Sequence, residues 1–293
     1  MKENKKINGE MSLKNLVEQD KLNLTEQELI ASIGCNDVLI ELLKKHELSY
    51  YILKIVASRG SDDVLNEILK LENINEYVLE VIAERGSDAI KSKLLEAETI
   101  SKDVQKIIAE HGSDEVLLKL AQHKDLNLIV HRVIASRAND EVLLALLDCN
   151  GLCGDVLRVI ANRGNETVLK ELASRYFWGA DYIKEIAIRC NQDTLLILSK
   201  RCDLDNETMK VIAERGDDKV LRSLVIRTLE IDVQAIVASR GSDEVLMQLS
   251  KCDTLNWHTQ EIIASRCSKD VLSELLKRYY KAIETLKFIA DQN

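Results

Sequence analysis

Apolar residues recur along this chain in a fixed grouping. Ile52, Ile55 and Val56, with Arg59 closing the stripe, lie three, four and seven apart, the spacing of one helix face. Beyond Gly60, Ser61 and Asp62 comes a second stripe, Val64, Leu65, Ile68 and Leu69, which later copies match, as at Val116, Leu117 and Leu120. The pattern predicts two short helices joined by a tight turn. Gly60 is expected to stop the first in the left-handed C′ conformation, as are Gly34, Gly86, Gly112, Gly164, Gly216 and Gly241. Ser61 is expected to cap the second, with Asp62 placing acid in its first turn. A polar link then leads to one more expected core position (Leu126, Leu152, Trp178, Leu204, Leu255) before the pattern restarts.

The grouping is an internal repeat, marked by a central alanine at Ala31, Ala57, Ala83, Ala109, Ala135, Ala161, Ala187, Ala213, Ala238 and Ala264. Successive alanines are 26 residues apart, except for 25 between Ala213 and Ala238, as a loop deletion that keeps the frame would leave them. Helices of about ten residues are marginal alone, so each must lie against its neighbours. The expected fold is all-α: a right-handed α-solenoid of about ten 26-residue two-helix repeats. Leu13, Leu16 and Leu22 continue the frame backwards. The solenoid is therefore expected as a single domain over 11–293, after a basic, disordered tail over 1–10 and closing with a capping helix over 280–291.

The stretch VLRVIANRGNETVLKELA, residues 156–173, resembles the leucine-rich variant repeat, in which a V-x-x-x-V-A core leads through a turn to a paired-leucine helix. The resemblance extends over nearly the whole chain and implies an α-solenoid. The chain lacks that family's turn prolines and runs two residues longer per repeat. The second helix, tighter and 3₁₀-like in the family, is thus expected to be an ordinary α-helix, closer to HEAT-type repeats. Some family members carry an N-terminal iron–sulfur cysteine cluster; only Cys35 lies there in this chain, so no cofactor is implied.

Composition narrows the palette. There is no proline, and aromatics make up only 4% of the chain, which leaves a core of Leu, Ile, Val and Ala. The net charge of −9 weighs against general nucleic-acid binding. No signal-peptide pattern opens the chain, and no apolar run approaches a membrane span, so a cytoplasmic location is expected. Delivery to a host cell by a signal-independent secretion system would leave the same pattern. Seven scattered cysteines fit free thiols in a reducing compartment.

Repeat positions become rows of side chains. The most regular is cationic: Arg59, Arg85, His111, Arg137, Arg163, Arg189, Arg215, Arg240 and Arg266. Three positions on runs an acidic row of Asp62, Asp88, Asp114, Asp140, Glu166, Asp218 and Asp243. At Gln192 and Lys269 the next residue, Asp193 or Asp270, supplies the acid. An acid for every arginine is expected of a structural ladder whose rows neutralise one another. A second basic row, Lys106, Arg132, Arg158, Lys184 and Lys210, lies three residues before the central alanine in five consecutive repeats only. It reads either as a steering surface for an acidic partner or as a solvated helix face. The link at Tyr176, Phe177, Trp178 and Tyr182 gathers four of the eleven aromatics, and Trp257 occupies a link position that is elsewhere charged or small. Either could anchor a partner.

Chemistry is thinly represented. The five histidines are dispersed, Cys149 and Cys153 have no second pair to complete a zinc site, and no phosphate loop, H-E-x-x-H or nucleophile elbow is present. The sequence therefore points to a non-enzymatic scaffold that binds a protein partner along the solenoid surface, without cofactor or metal. The alternative is nucleic-acid or other polyanion binding through the Lys106–Lys210 row.

Overall fold

A computed structural model describes residues 11–97, 99–123, 125–175, 181–252 and 254–277. The expected tail over 1–10, the capping helix over 280–291, and Tyr176, Phe177 and Trp178 lie outside the described residues. The chain divides into two compact units, Met1–Gly151 and Leu152–Asn293.

The first unit holds helical residues 11–17 (α1) and then Leu24–Ile33 (α2), Asn36–Lys45 (α3), Tyr50–Arg59 (α4), Asp62–Ile68 (α5) and Glu76–Arg85 (α6). It continues with Asp88–Leu94 (α7), Lys102–His111 (α8), Asp114–Ala121 (α9), Leu128–Arg137 (α10) and Asp140–Leu146 (α11). The second unit holds Gly154–Arg163 (α12), Glu166–Ser174 (α13), Asp181–Arg189 (α14), Gln192–Ser199 (α15) and Asn206–Arg215 (α16). Then come Asp218–Val225 (α17), Ile231–Arg240 (α18), Asp243–Leu249 (α19), Trp257–Arg266 (α20) and helical residues 269–277 (α21). Even-numbered helices are the first of each repeat (A helices) and odd-numbered ones the second (B helices). Within each unit A packs on A and B on B in successive repeats, the layering of an all-α solenoid. Every central alanine from Ala31 to Ala238 is fully buried in the A–A seam.

The B helices are α-helical, and most of the described ones end in a tighter turn, whereas α3 and α13 end in extended residues. Leu71 N–H donates to Ile68 at 2.9 Å and His123 N–H to Leu120 at 3.0 Å, both bonds of the 3₁₀ type. The link leucines Leu126, Leu152, Leu204 and Leu255 are half-buried rather than core, because each lies in extended chain between the two helix layers.

The turn glycines are not left-handed. Gly60 has φ −63° and ψ 151°, Gly86 φ −63° and ψ 150°. What they supply is space: a Cβ on Gly60 would stand 2.5 Å from Val64 Cγ1, and one on Gly164 the same distance from Val168 Cγ1. The first buried residue of each B helix folds back onto the turn. Ala138 and Cys267 keep the extended conformation in the same slot, which a left-handed stop would disfavour.

Capping also departs from expectation. Ser61, Ser87, Ser113 and Ser242 make no side-chain cap bond, whereas Asn139, Asn165, Asn191 and Asp217 at the same position accept from the third helical N–H. These serines sit at ψ 171–173°, where the hydroxyl falls short and the longer carboxamide or carboxylate reaches.

Two ladders of long-range bonds tie each repeat to the previous one. Arg59 donates to Ala31 O at 2.7 Å and Gly34 O at 3.4 Å. Arg137 reaches Ala109 O and Gly112 O, Arg189 reaches Ala161 O, and Arg215 reaches Ala187 O and Cys190 O. Arg240 reaches Gly216 O and Arg266 reaches Ala238 O. The arginines thus satisfy carbonyls that the preceding A helix leaves open at its C-terminus. The acids take N–H groups: Asp62 accepts from Ser87 N at 3.2 Å, Asp88 from Ser113, Asp114 from Asn139, Glu166 from Asn191, Asp218 from Ser242 and Asp243 from Ser268. For these residues the expectation of acid neutralising arginine is replaced by each row pairing with backbone. Where His111 interrupts the arginine row, Lys91, buried in a leucine slot, donates to the Gly86 carbonyl that an arginine at 111 would have taken.

A further latch sits four residues before the central alanine. Gln105 Nε2 donates to Ile100 O (3.1 Å) and Asp125 O (3.4 Å), and Gln234 Nε2 to Leu229 O (2.8 Å) and Thr254 O (3.2 Å), joining successive links. His131 holds that slot, 2% exposed, with neither ring nitrogen bonded. Burial pushes its pKa down. The folded state therefore prefers the neutral ring, and stability is full above the ordinary value of about 6.5 and is lost as pH falls from there toward the lowered folded value. His131→Gln is expected to remove that loss and to add about 1 kcal/mol at neutral pH, as read by urea melts at pH 5 and 7.5. Parallel pH profiles for the two proteins would contradict this role.

Candidate interaction surface

On the outer face of the A layer, the residue three before one central alanine meets the residue six before the next. Tyr51 Oη donates to Glu28 Oε1 at 2.9 Å, which pushes the phenol pKa up. Lys54 Nζ lies 6.0 Å from the centroid of the Tyr77 ring. Lys184 pairs with Glu207 at 3.6 Å, and Lys210 pairs with both Glu207, at 2.9 Å, and Asp232. Those hydrogen bonds hold Lys210 above, and Glu207 and Asp232 below, their ordinary pKa ranges. Lys106 instead turns to Glu110 along its own helix, at 3.7 Å. Lys184 and Lys210 of the second basic row are thus one side of a charge-paired ladder, and Lys106 is paired within its own helix.

One rung differs. Glu80 meets Asp103, acid against acid, and Glu76 joins them: one carboxylate oxygen from each lies within 4.8 Å of the others. Among the described residues this is the sole grouping with the reach of a shared cation, and none of its three side chains is bonded to a base of the chain.

The predicted aromatic anchors separate. Tyr182 is fully buried, in the slot that valine fills in other repeats, and its hydroxyl lies 3.5 Å from the Arg201 guanidinium. Its place in the sequence-predicted contact set is therefore corrected to packing. Trp257 is 71% exposed, with His258 edge-on to its ring at 5.9 Å. Trp257 is the first residue of its A helix, and the same turn of other A helices exposes Tyr50 (61%), Tyr51, Tyr77 (60%) and Ile231. The sequence signal was available: Tyr50 aligns with Trp257 in the repeat frame, and three of the seven tyrosines fall in the adjacent A helices α4 and α6. Beside Tyr50 opens a cleft of about 550 Å³, with Leu48, Leu53, Leu71 and Ile74 as its apolar lining and Asn75 at one side. A neighbouring cleft of about 370 Å³ shares Ile74 and adds Leu79 and Ile100.

The B layer has a donor ladder of its own. His46 meets Val17 O at 3.1 Å, His123 meets Leu95 O at 3.2 Å, Cys149 donates to Ala121 O at 2.9 Å, and Arg201 donates to Ala173 O at 3.1 Å. Burial raises the pKa of the Cys149 thiol and, first among several causes, pushes that of Cys190 up to about 12. Both are protonated at neutral pH and serve as packing groups.

The chain is an all-α repeat protein of the solenoid type. No protein-family profile matches its sequence, and no curated protein does. Among solved structures it is similar to a leucine-rich repeat variant with a novel repetitive structural motif, at 17% identity and TM-score 0.40, over 75% of this chain and 94% of that one. It is also similar to an engineered protein, at 16% identity and TM-score 0.26, over 92% and 87% of the two chains. At those scores the likenesses add nothing to the helix pairing described above. No described helix is long and apolar enough to cross a membrane.

Proposed function

We propose that this protein is a non-enzymatic scaffold that binds a protein partner through the exposed first turns of its A helices. The observation that carries the reading is the set of large apolar side chains left in solvent there: Leu24, Tyr50, Tyr51, Tyr77, Leu128 and Ile129 in the first unit, Ile231 and Trp257 in the second. Isolated exposed apolar residues need no explanation, but apolar residues repeated at the first two positions of several A helices, aromatic at Tyr50, Tyr51, Tyr77 and Trp257, are a suitable set of anchors. Arg59, Arg137, Arg189, Arg215, Arg240 and Arg266, the acids that accept from the next turn, and Gln105 and Gln234 are bonded to backbone of the fold. The ion pairs of Lys106, Lys184 and Lys210 weigh against polyanion binding through that row.

Affinity capture from lysate tests this. Serine at Tyr50, Tyr51 and Tyr77, or at Trp257, is expected to leave the melting curve unchanged and to remove partners that the wild type captures. Charge reversal at Lys106, Arg132 and Arg158 is expected to retain them. Partners kept by both serine variants and lost on charge reversal would overturn the proposal.

A further inference from the structure

The partner's chemistry follows from the edge of α4, α6 and α8, and this step rests on the scaffold reading above. Four other rungs on the outer A face are complementary: acid with phenol, lysine with ring, and lysine with acid twice. At Glu76, Glu80 and Asp103 three carboxylates converge with no cation of the chain among them. Like charges so close repel one another, and a cation supplied from outside relieves that repulsion. These acids adjoin apolar surface. Tyr77 follows Glu76 in the same exposed turn, and the Lys54 ammonium lies 6.0 Å from its ring centroid, so the ring adds a face that suits a cation. Asn75, which precedes Glu76, borders the cleft of Tyr50, Leu53 and Leu71, whose lining also includes Lys44 and the ion-paired Lys45, so the charge preference lies in the carboxylate rung and not in the cleft itself.

We infer that this edge docks a cationic peptide segment of a partner protein. One apolar side chain enters the cleft beside Tyr50, and a neighbouring lysine or arginine reaches Glu76, Glu80 and Asp103. The aromatic surface provides the anchor and the charge selects the occupant. An acidic segment would meet added repulsion, which makes the rung a device for specificity as well as attraction.

A random-peptide phage library selected on the full chain gives the probe, and fluorescence polarisation of the winning peptides measures it. Enriched sequences are expected to carry lysine or arginine beside an apolar residue. Glu76→Gln/Glu80→Gln/Asp103→Asn is expected to weaken them at least about tenfold. Glu110→Gln/Glu115→Gln/Glu141→Gln, which removes the same charge elsewhere, should change affinity less than about twofold. Tyr50→Ser should weaken binding too. Equal loss in both charge variants would mean bulk attraction and overturn the inference, as would neutral or acidic winners. Loss with Tyr50→Ser but not with the acid variant would overturn the cationic segment while leaving the scaffold reading intact; winners indifferent to both would sink the two together. A calcium-induced rise in melting temperature that the acid variant abolishes, combined with loss of peptide binding in calcium, would assign the carboxylates to a metal ion instead.

Discussion

Arg201→Ala is expected to destabilise the protein by about 3 kcal/mol, the largest effect of any single substitution considered. The Arg201 side chain is 3% exposed and donates to Ala173 O, to Arg175 O at 2.6 Å and to Asp203 Oδ2 at 2.6 Å, with Tyr182 Oη at 3.5 Å. Truncation leaves two carbonyls and a phenol in low-dielectric surroundings without their donor, which costs more than the bonds themselves contribute. Arg201→Met, which keeps the stem, is expected to recover only the packing part. The same pair predicts a pH effect. Hydrogen bonds from Arg201 hold the Asp203 carboxyl below the usual carboxylate range. Its contribution is thus full above the unfolded value of about 3.9 and is lost as pH falls from there toward the folded value. The wild type should therefore lose this increment in acid, and Arg201→Ala should not. Identical urea midpoints for wild type and Arg201→Ala would contradict the assignment.

Ala109→Leu is expected to cost about 2–3 kcal/mol. Ala109 is fully buried in the last turn of α8, between α6 and α10, and its carbonyl receives the Arg137 guanidinium. A leucine there pushes neighbouring A helices apart and stretches that bond, so packing and hydrogen bonding are lost together. Ala109→Gly, which lowers helix propensity and removes one buried methyl, should cost about 1–2 kcal/mol without pushing the helices apart. Denaturant melts separate the two; a leucine variant as stable as the wild type would mean that the alanine does not mark a tight seam.

The helix pairs and the buried stripes were legible in the sequence because both follow from periodicity, which apolar residues encode directly. The arginine row was legible as structural, but its acceptors were not: backbone carbonyls carry no letter, so Ala31 O or Ala187 O could not be read as partners. Proximity in the repeat suggested Asp62 and its equivalents instead. Gly60 invited a left-handed reading because glycine after a helix usually has that meaning, although Val64, four residues on, was the relevant neighbour. Likewise the basic row looked open until the acids 23 residues downstream were considered, at Glu207 for Lys184. Tyr182 was grouped with aromatics beside it in the chain, whereas repeat register places it with Val156 in the core. Tyr50 lies in register with Trp257 and Tyr77 one residue further on, and only exposure shows that this turn faces solvent.

Function thus falls to the side chains that the inter-repeat bonding does not consume. Hydrogen exchange on the full chain, with and without a captured partner, tests this most directly. The account predicts that new protection falls on the first turns of the A helices, at residues 50–54 and 76–80 or at 257–261, with the turns at Arg59, Arg137 and Arg215 unchanged. Protection confined to those arginine turns, or to the helix face of Lys106, Arg158 and Lys184, would contradict it.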